Sequence, residues 1–349
     1  MVDYSPKDRS PLLPDRMQQD DFFVCDIFDA APKGDMASME HPIFSISTKP
    51  DRRVRRYESG QNFVEIAPSI KGLATVHDRD VLIFCISQIM AAVNSGREVK
   101  QSLRFKAYDM LVATNRPTGG ESYARLRDAF IRLSGTRIET NITTGATEVL
   151  DGFGLIESYR IVRETRDGRM QEVEVKLSDW VFNAIRHKEV LTLHRDYFRL
   201  RKPLERRIYE LARKHCGQKQ SWKIGLEKLR TKCGSSSTEK EFRRLVQNIV
   251  KQDESFGHMP DYALSLEGDM MTFTNRREAE TVISPAISQI RLDPESHHDA
   301  RTVAPGWDTY VLESEWRQWM HEYDVEPPRN PTKAFIGFCR KYAEKHGKS

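Results

Sequence analysis

Apolar residues recur at three- and four-residue spacing along much of the chain. From Asp78 to Val93 they fall at 82, 85, 86, 89 and 93, which predicts a helix with one buried stripe. Ser102–Phe105 then reads as a short extended piece and Ala107–Ala113 as a short helix. Asn115-Arg116-Pro117-Thr118-Gly119-Gly120 is a turn signal. The helix after it is predicted to start at a Thr118-x-x-Glu121 capping box, to turn Tyr123, Leu126, Phe130 and Leu133 inward, and to close at Gly135. Alternating runs at Arg137–Thr143, Gly154–Val162 and Glu172–Leu177 predict strands, with Arg166–Arg169 as a hairpin turn.

The second half repeats this order. Pro203–Cys216 reads as a basic helix with Leu204, Ile208 and Leu211 inward. Ser221–Ile224 matches Ser102–Phe105 at an offset of 119, and Leu226–Thr231 is a short helix. After Cys233–Ser237, Thr238-x-x-Glu241 caps a helix whose inward residues are Phe242, Leu245 and Ile249. Asp261–Leu266 and Met270–Thr274 read as strands around Gly268-Asp269. Helix, strand, helix, turn, helix and ribbon is the order of a winged helix-turn-helix. The expected fold is therefore α+β, two such domains in tandem, at 61–190 and 191–278.

Prolines 6, 11, 14, 32, 42 and 50 lie in little periodic context, so 1–60 is expected to be an extended, disordered arm. Within it, Asp21–Phe28 suits one docking turn. Arg52-Arg53-Val54-Arg55-Arg56 suits phosphates, a minor groove or plain solvation. Residues 279–305 read as linker. In 306–349, Trp307, Trp316, Trp319, Phe335, Phe338 and Tyr342 suggest two short helices around Pro327-Pro328, with Pro331 opening the second. A hairpin closing on itself is the preferred reading of that segment, ahead of a docking module.

Composition narrows the class. A chain of 349 residues suits two domains plus tails. Its hydrophobic share of 38% lies below the usual figure of about 45–50%, and 30% charged lies above average. The longest apolar run, Val81–Val93, is shorter than the roughly 20 residues a bilayer needs, and the N-terminus lacks a secretory pattern. A soluble, cytoplasmic protein without membrane partners is expected. Cysteines 25, 85, 216, 233 and 339 are scattered and form no C-x-x-C pair, so neither a disulfide framework nor a thiolate zinc site is indicated. Phosphate-loop, G-x-S-x-G and H-E-x-x-H motifs do not occur, and His297-His298 lacks further ligands at metal spacing. The expectation is no enzyme, no cofactor and no metal.

Charge distribution says more than the net +4. Arg195–Lys251 holds 17 Lys and Arg against 6 Asp and Glu, an excess of eleven, so the rest is acidic by seven. That block is the footprint of a polyanion-binding surface. With Phe242, Leu245 and Ile249 inward, the opposite face shows Lys240, Arg243, Arg244, Gln247 and Lys251, suited to base edges in a major groove. Arg206, Arg207, Arg213, Lys214, Arg276 and Arg277 are expected on phosphates of double-stranded DNA. The first domain offers the weaker face of Ser122, Arg125 and Arg132.

Several long runs resemble the replication initiator protein A family of alphaproteobacterial plasmids. They are Lys71–Thr75, Val99–Arg127, Gly135–Ile138, Gly152–Ser158 and Asp196–Gly217. The resemblance covers about residues 20 to 275. It implies an initiator that binds repeated sites in a plasmid origin, promotes origin opening and recruits the host replicative helicase with the host initiator. By analogy it also implies repression of its own gene and self-association as a dimer. The rivals are a winged-helix transcriptional repressor without initiator activity, and a nuclease or relaxase.

Overall fold

The computed structural model describes residues 10–16, 25–26, 42–59, 62–94, 97–140, 151–163, 170–186, 191–217, 219–276, 287, 289–293, 295–305, 307–323 and 325–346. A two-residue strand β1 (Cys25–Asp26) comes first. The first large unit then opens with β2 (Arg55–Ser59) and β3 (Asn62–Ala67). It continues through α1 (Arg79–Asn94), β4 (Ser102–Lys106), α2 (Ala107–Ala113) and α3 (Gly120–Gly135). Strands β5 (Arg137–Thr140), β6 (Asp151–Gly154), β7 (Ile156–Arg163) and β8 (Met170–Leu177) follow, then α4 (Asp179–Arg186). A short β9 (Leu191–Thr192) pairs antiparallel with β1 and leads into the second unit.

That unit runs through α5 (Pro203–His215), β10 (Ser221–Gly225), α6 (Leu226–Cys233) and α7 (Glu239–Phe256) to the hairpin β11 (Tyr262–Glu267) and β12 (Met270–Asn275). The repeat seen in the sequence is present in space. β10, α6 and α7 each begin 119 residues after β4, α2 and α3. Each unit also builds a three-stranded antiparallel sheet in the same order, β4-β8-β7 and β10-β12-β11, with the pre-helix strand beside the last strand of the hairpin. The first unit adds a second antiparallel sheet, β2-β3-β5-β6.

Local chemistry explains much of this. In β8, Val173, Val175 and Leu177 are buried and alternate with half-buried Glu172, Glu174 and Lys176, the two-residue period of a sheet with one covered face. Thr238 caps α7 by accepting from the Glu241 amide at 3.3 Å, and Gly257 ends it at φ +57°. The expected Thr118 box does not form. α3 starts from Gly119, and no side chain caps it. Met110, Leu126 and Phe130 join the first core, and Phe242, Val246 and Ile249 the second.

Three domain expectations are corrected. Residues 42–59 are no disordered arm: Ile43 and Phe44 are buried and β2 belongs to a sheet. The arginine cluster there is tied down, since Asp51 accepts from Arg53 at 3.0 Å and Arg55 at 2.8 Å, and Arg56 pairs with Glu58 and Glu65. Residues 10–16 also lie against the body. The Leu13 and Arg199 backbones bond at 2.9 Å, and Asn115 joins Pro14 and Arg16. Proline-rich composition lowers local periodicity without preventing the chain from packing in an extended form. Of Asp21–Phe28, all but Cys25 and Asp26 lie outside the described residues.

The segment 279–305 is not linker throughout. α8 (Ser296–Val303) packs Ala300 with α9 (Thr309–Glu322) and α10 (Pro331–His346) into a separate small core around Trp316 and Phe335. The expected pair of C-terminal helices is thus present with a third before it, and Pro331 opens α10. Among the described residues no helix is long and apolar enough to cross a membrane.

Candidate nucleic-acid interface

α7 divides its faces cleanly. Phe242, Val246, Ile249 and Val250 are buried, and each contributes about 1.5–3 kcal/mol of apolar burial. Leu245 is partly buried beside them. The other side exposes Lys240, Arg244, Gln247 and Lys251. Arg244 is bonded to Glu241 at 2.7 Å, and that hydrogen bond holds the Glu241 carboxyl below its ordinary value. Arg243 is 31% exposed and points across to the hairpin tip between β11 and β12. There it donates to the Gly268 carbonyl at 2.9 Å and to the Asp269 carboxylate. The expected base-reading residues therefore share one surface, and Arg243 already joins the helix to the hairpin.

Most of the expected phosphate contacts lie elsewhere, and their assignment is corrected. Arg206, Arg207 and Arg213 are 3%, 4% and 6% exposed, out of reach of a duplex. Arg206 donates to Asp80 at 2.6 Å and to the Leu200 and Phe198 carbonyls at 2.9 and 3.1 Å. Glu210 accepts from Arg79 at 2.7 Å, Arg207 at 3.0 Å and the Tyr197 hydroxyl at 2.7 Å. Arg213 donates to the Thr192 carbonyl at 2.6 Å and pairs with Asp308 at 3.3 Å. α5 is polar yet buried from Leu204 to Arg213, because its charges are paired with acids brought from α1, from its own turn and from the C-terminal unit.

The remaining members of that set divide. Lys214 is half-buried. Arg276 holds both oxygens of Asp253, at 2.9 and 2.8 Å, and so fastens the end of β12 to α7. Arg277 lies outside the described residues. Lys219, Lys223 and Lys228, which the sequence did not single out, are exposed on the second unit. Nothing in their spacing marks them; only their exposure does.

In the first unit Arg125 is exposed and paired with Glu121 at 2.5 Å, while Ser122 is half-buried. Arg132 is drawn inward. It donates to the Asp78 carboxylate from Nε at 2.6 Å and from Nη2 at 2.7 Å, and those bonds raise the guanidinium pKa further. Arg132 is thus corrected from a contact residue to a clamp between α3 and the start of α1. Cys85 and Cys233 are buried, and burial pushes both thiols up to about 12. Among the described residues no His, Cys, Asp and Glu group has the arrangement of a metal site.

Comparison with known proteins places this arrangement. A curated protein of Wigglesworthia glossinidia brevipalpis, described as "Putative replication protein", is 36% identical over 263 residues, 73% of this chain and 94% of its own. A crystal structure of domains 2 and 3 of RctB superposes with a TM-score of 0.50 at 14% identity, covering 67% of this chain and 94% of that one, a likeness of fold alone. A second RctB structure of domains 2–3 matches with a TM-score of 0.49 at 13% identity, over 70% of this chain and 98% of that one. The family model for replication initiator protein A matches residues 33–264, from the segment before β2 into β11. The chain belongs to the replication initiator protein A family.

Proposed function

We propose that this replication initiator reads double-stranded DNA as a tandem pair of winged helices. The sites are repeats in a plasmid origin, and α7 is the principal reading element. The observation that carries this reading is the α7 face: Lys240, Arg244, Gln247 and Lys251 stand exposed opposite a buried apolar stripe. A helix presenting Arg, Lys and Gln in this way suits major-groove base edges, and the β11–β12 hairpin beside it suits the flanking backbone. With three expected arginines buried, we assign the phosphate contacts to Lys219, Lys223 and Lys228, which are exposed on the same unit.

Several bound copies would bend the origin and strain it toward opening, after which the host initiator and replicative helicase take over. Self-association as a dimer, and repression of its own gene, belong to the same reading. Footprinting on DNA flanking the gene is expected to protect several direct repeats; a single inverted repeat would instead indicate a repressor. Lys240→Ala/Gln247→Ala should relax base preference and cost on the order of 1–3 kcal/mol per base-reading contact. Unchanged sequence preference in that variant would remove α7 from the interface.

A further inference from the structure

The C-terminal unit lies beyond the family match, which ends at residue 264. By count, 306–349 is neutral, with seven Lys and Arg and seven Asp and Glu. Two of its acids have partners in the fold. Asp308 is buried against Arg213 and the Thr192 amide, and Glu313 is held by Arg317 at 2.6 Å and lies 3.3 Å from His297. Among the residues of 307–346 whose exposure is described, the exposed charges are Arg329, Lys333, Arg340, Lys341 and Lys345 against Glu326 and Glu344. Among these described residues, cations outnumber acids at the surface.

A row of aromatic rings runs from the edge of the small core, at half-buried Phe338 and Tyr342, out to the surface. Trp319 and Tyr323 on and just after α9 are 41% and 65% exposed. The ring centres step from Tyr323 to Trp319 at 6.1 Å, from Trp319 to Phe338 at 6.0 Å and from Phe338 to Tyr342 at 5.6 Å. Lys341 follows Phe338, and Lys345 follows Tyr342, by three residues along α10, so a cation lies one turn on from each of those rings. The spacing exceeds the rise of about 3.4 Å between stacked duplex bases. It suits an extended strand whose splayed bases each meet a ring.

We propose that this α9–α10 face binds a single DNA strand, with bases stacking on Trp319 and Tyr323 and phosphates lying along Lys341 and Lys345. Duplex DNA cannot use the rings, because its bases are already stacked. The site therefore takes DNA only after opening, and it does not depend on α7 reading duplex.

The test uses the full chain and a fluorescent oligothymidylate, followed by anisotropy. Trp319→Ala/Tyr323→Ala should weaken binding by about five-fold or more, whereas Trp319→Phe/Tyr323→Phe should keep most of it. Lys341→Gln/Lys345→Gln should lower the salt slope by about 1.4. Circular dichroism melting of each variant confirms the fold, since Trp316 and Phe335 remain in the core. Lys240→Ala/Gln247→Ala should lose duplex selectivity and keep the ring-dependent part of oligothymidylate binding. If Trp319→Ala/Tyr323→Ala binds oligothymidylate as tightly as the parent, the proposal is overturned and the face belongs to a protein partner.

Discussion

Arg206 illustrates how a charge changes meaning when its surroundings are known. In the sequence it is one of many cations in a basic run; in the fold it is nearly sealed, with Asp80 at 2.6 Å and Tyr197 beneath its guanidinium. Removing it takes an arginine partner from the buried Asp80 carboxylate, whose other oxygen accepts from Arg116 at 2.8 Å. Arg206→Ala is therefore expected to cost about 3–5 kcal/mol of stability, read from the denaturation midpoint, with the salt slope of duplex binding unaltered. A stable variant whose salt slope falls by about one would return Arg206 to the phosphate backbone. Asp80 and Glu210 matter as much as the arginines, yet isolated acids carry no signal of being the hub of a buried network.

At the scale of elements, the two equivalent helices α3 and α7 start differently. Thr238 caps α7 with its hydroxyl, whereas Thr118 leaves α3 to begin at Gly119. Thr238→Ala should cost about 1 kcal/mol, and Thr118→Ala should be close to neutral in the same chemical denaturation assay. Equal losses would show that the cap bonds do not differ. The helices also differ in what they offer. α7 keeps its cations outward, while Asp78 takes Arg132 away from α3's surface. The more exposed cationic helix face therefore lies on the second unit. Among the repeated elements, helix and strand positions were legible in the sequence because apolar spacing reports which face is covered. The missing Thr118 cap was not, since a capping box depends on a backbone turn that the double glycine after it redirects.

For the whole molecule, long-range ion pairs join what the sequence separates. Arg79 and Asp80 at the start of α1 bind Glu210 and Arg206 on α5, and Asp308 ties the C-terminal unit to Arg213. Acid should weaken such a structure. Burial pushes the Glu205 carboxyl up, but the His258 imidazole and Lys202 outweigh it and hold the group below its ordinary value. A carboxyl depressed in the folded state stabilises above its unfolded pKa of about 4.3, and that contribution disappears as pH falls through the folded value. The melting temperature of Glu205→Gln should therefore lie below that of the parent at pH 7, with the gap closing as pH drops below about 4. A constant gap down to pH 3 would show that Glu205 carries no such linkage.

The chain's own order of apolar and polar residues determined the repeated helix, strand and hairpin plan, the offset of 119, the covered stripe of α7 and the family runs. Those features depend on neighbours a few residues apart, which is the range over which periodicity speaks. Only the tertiary structure decided which charges face water. Asp80 reaches Arg206 across 126 residues and Asp308 reaches Arg213 across 95, and no local count contains such pairs. Burying an unpaired ion is so costly that folding matches cations with acids from wherever the chain supplies them. The charges left facing water are decided by that pairing.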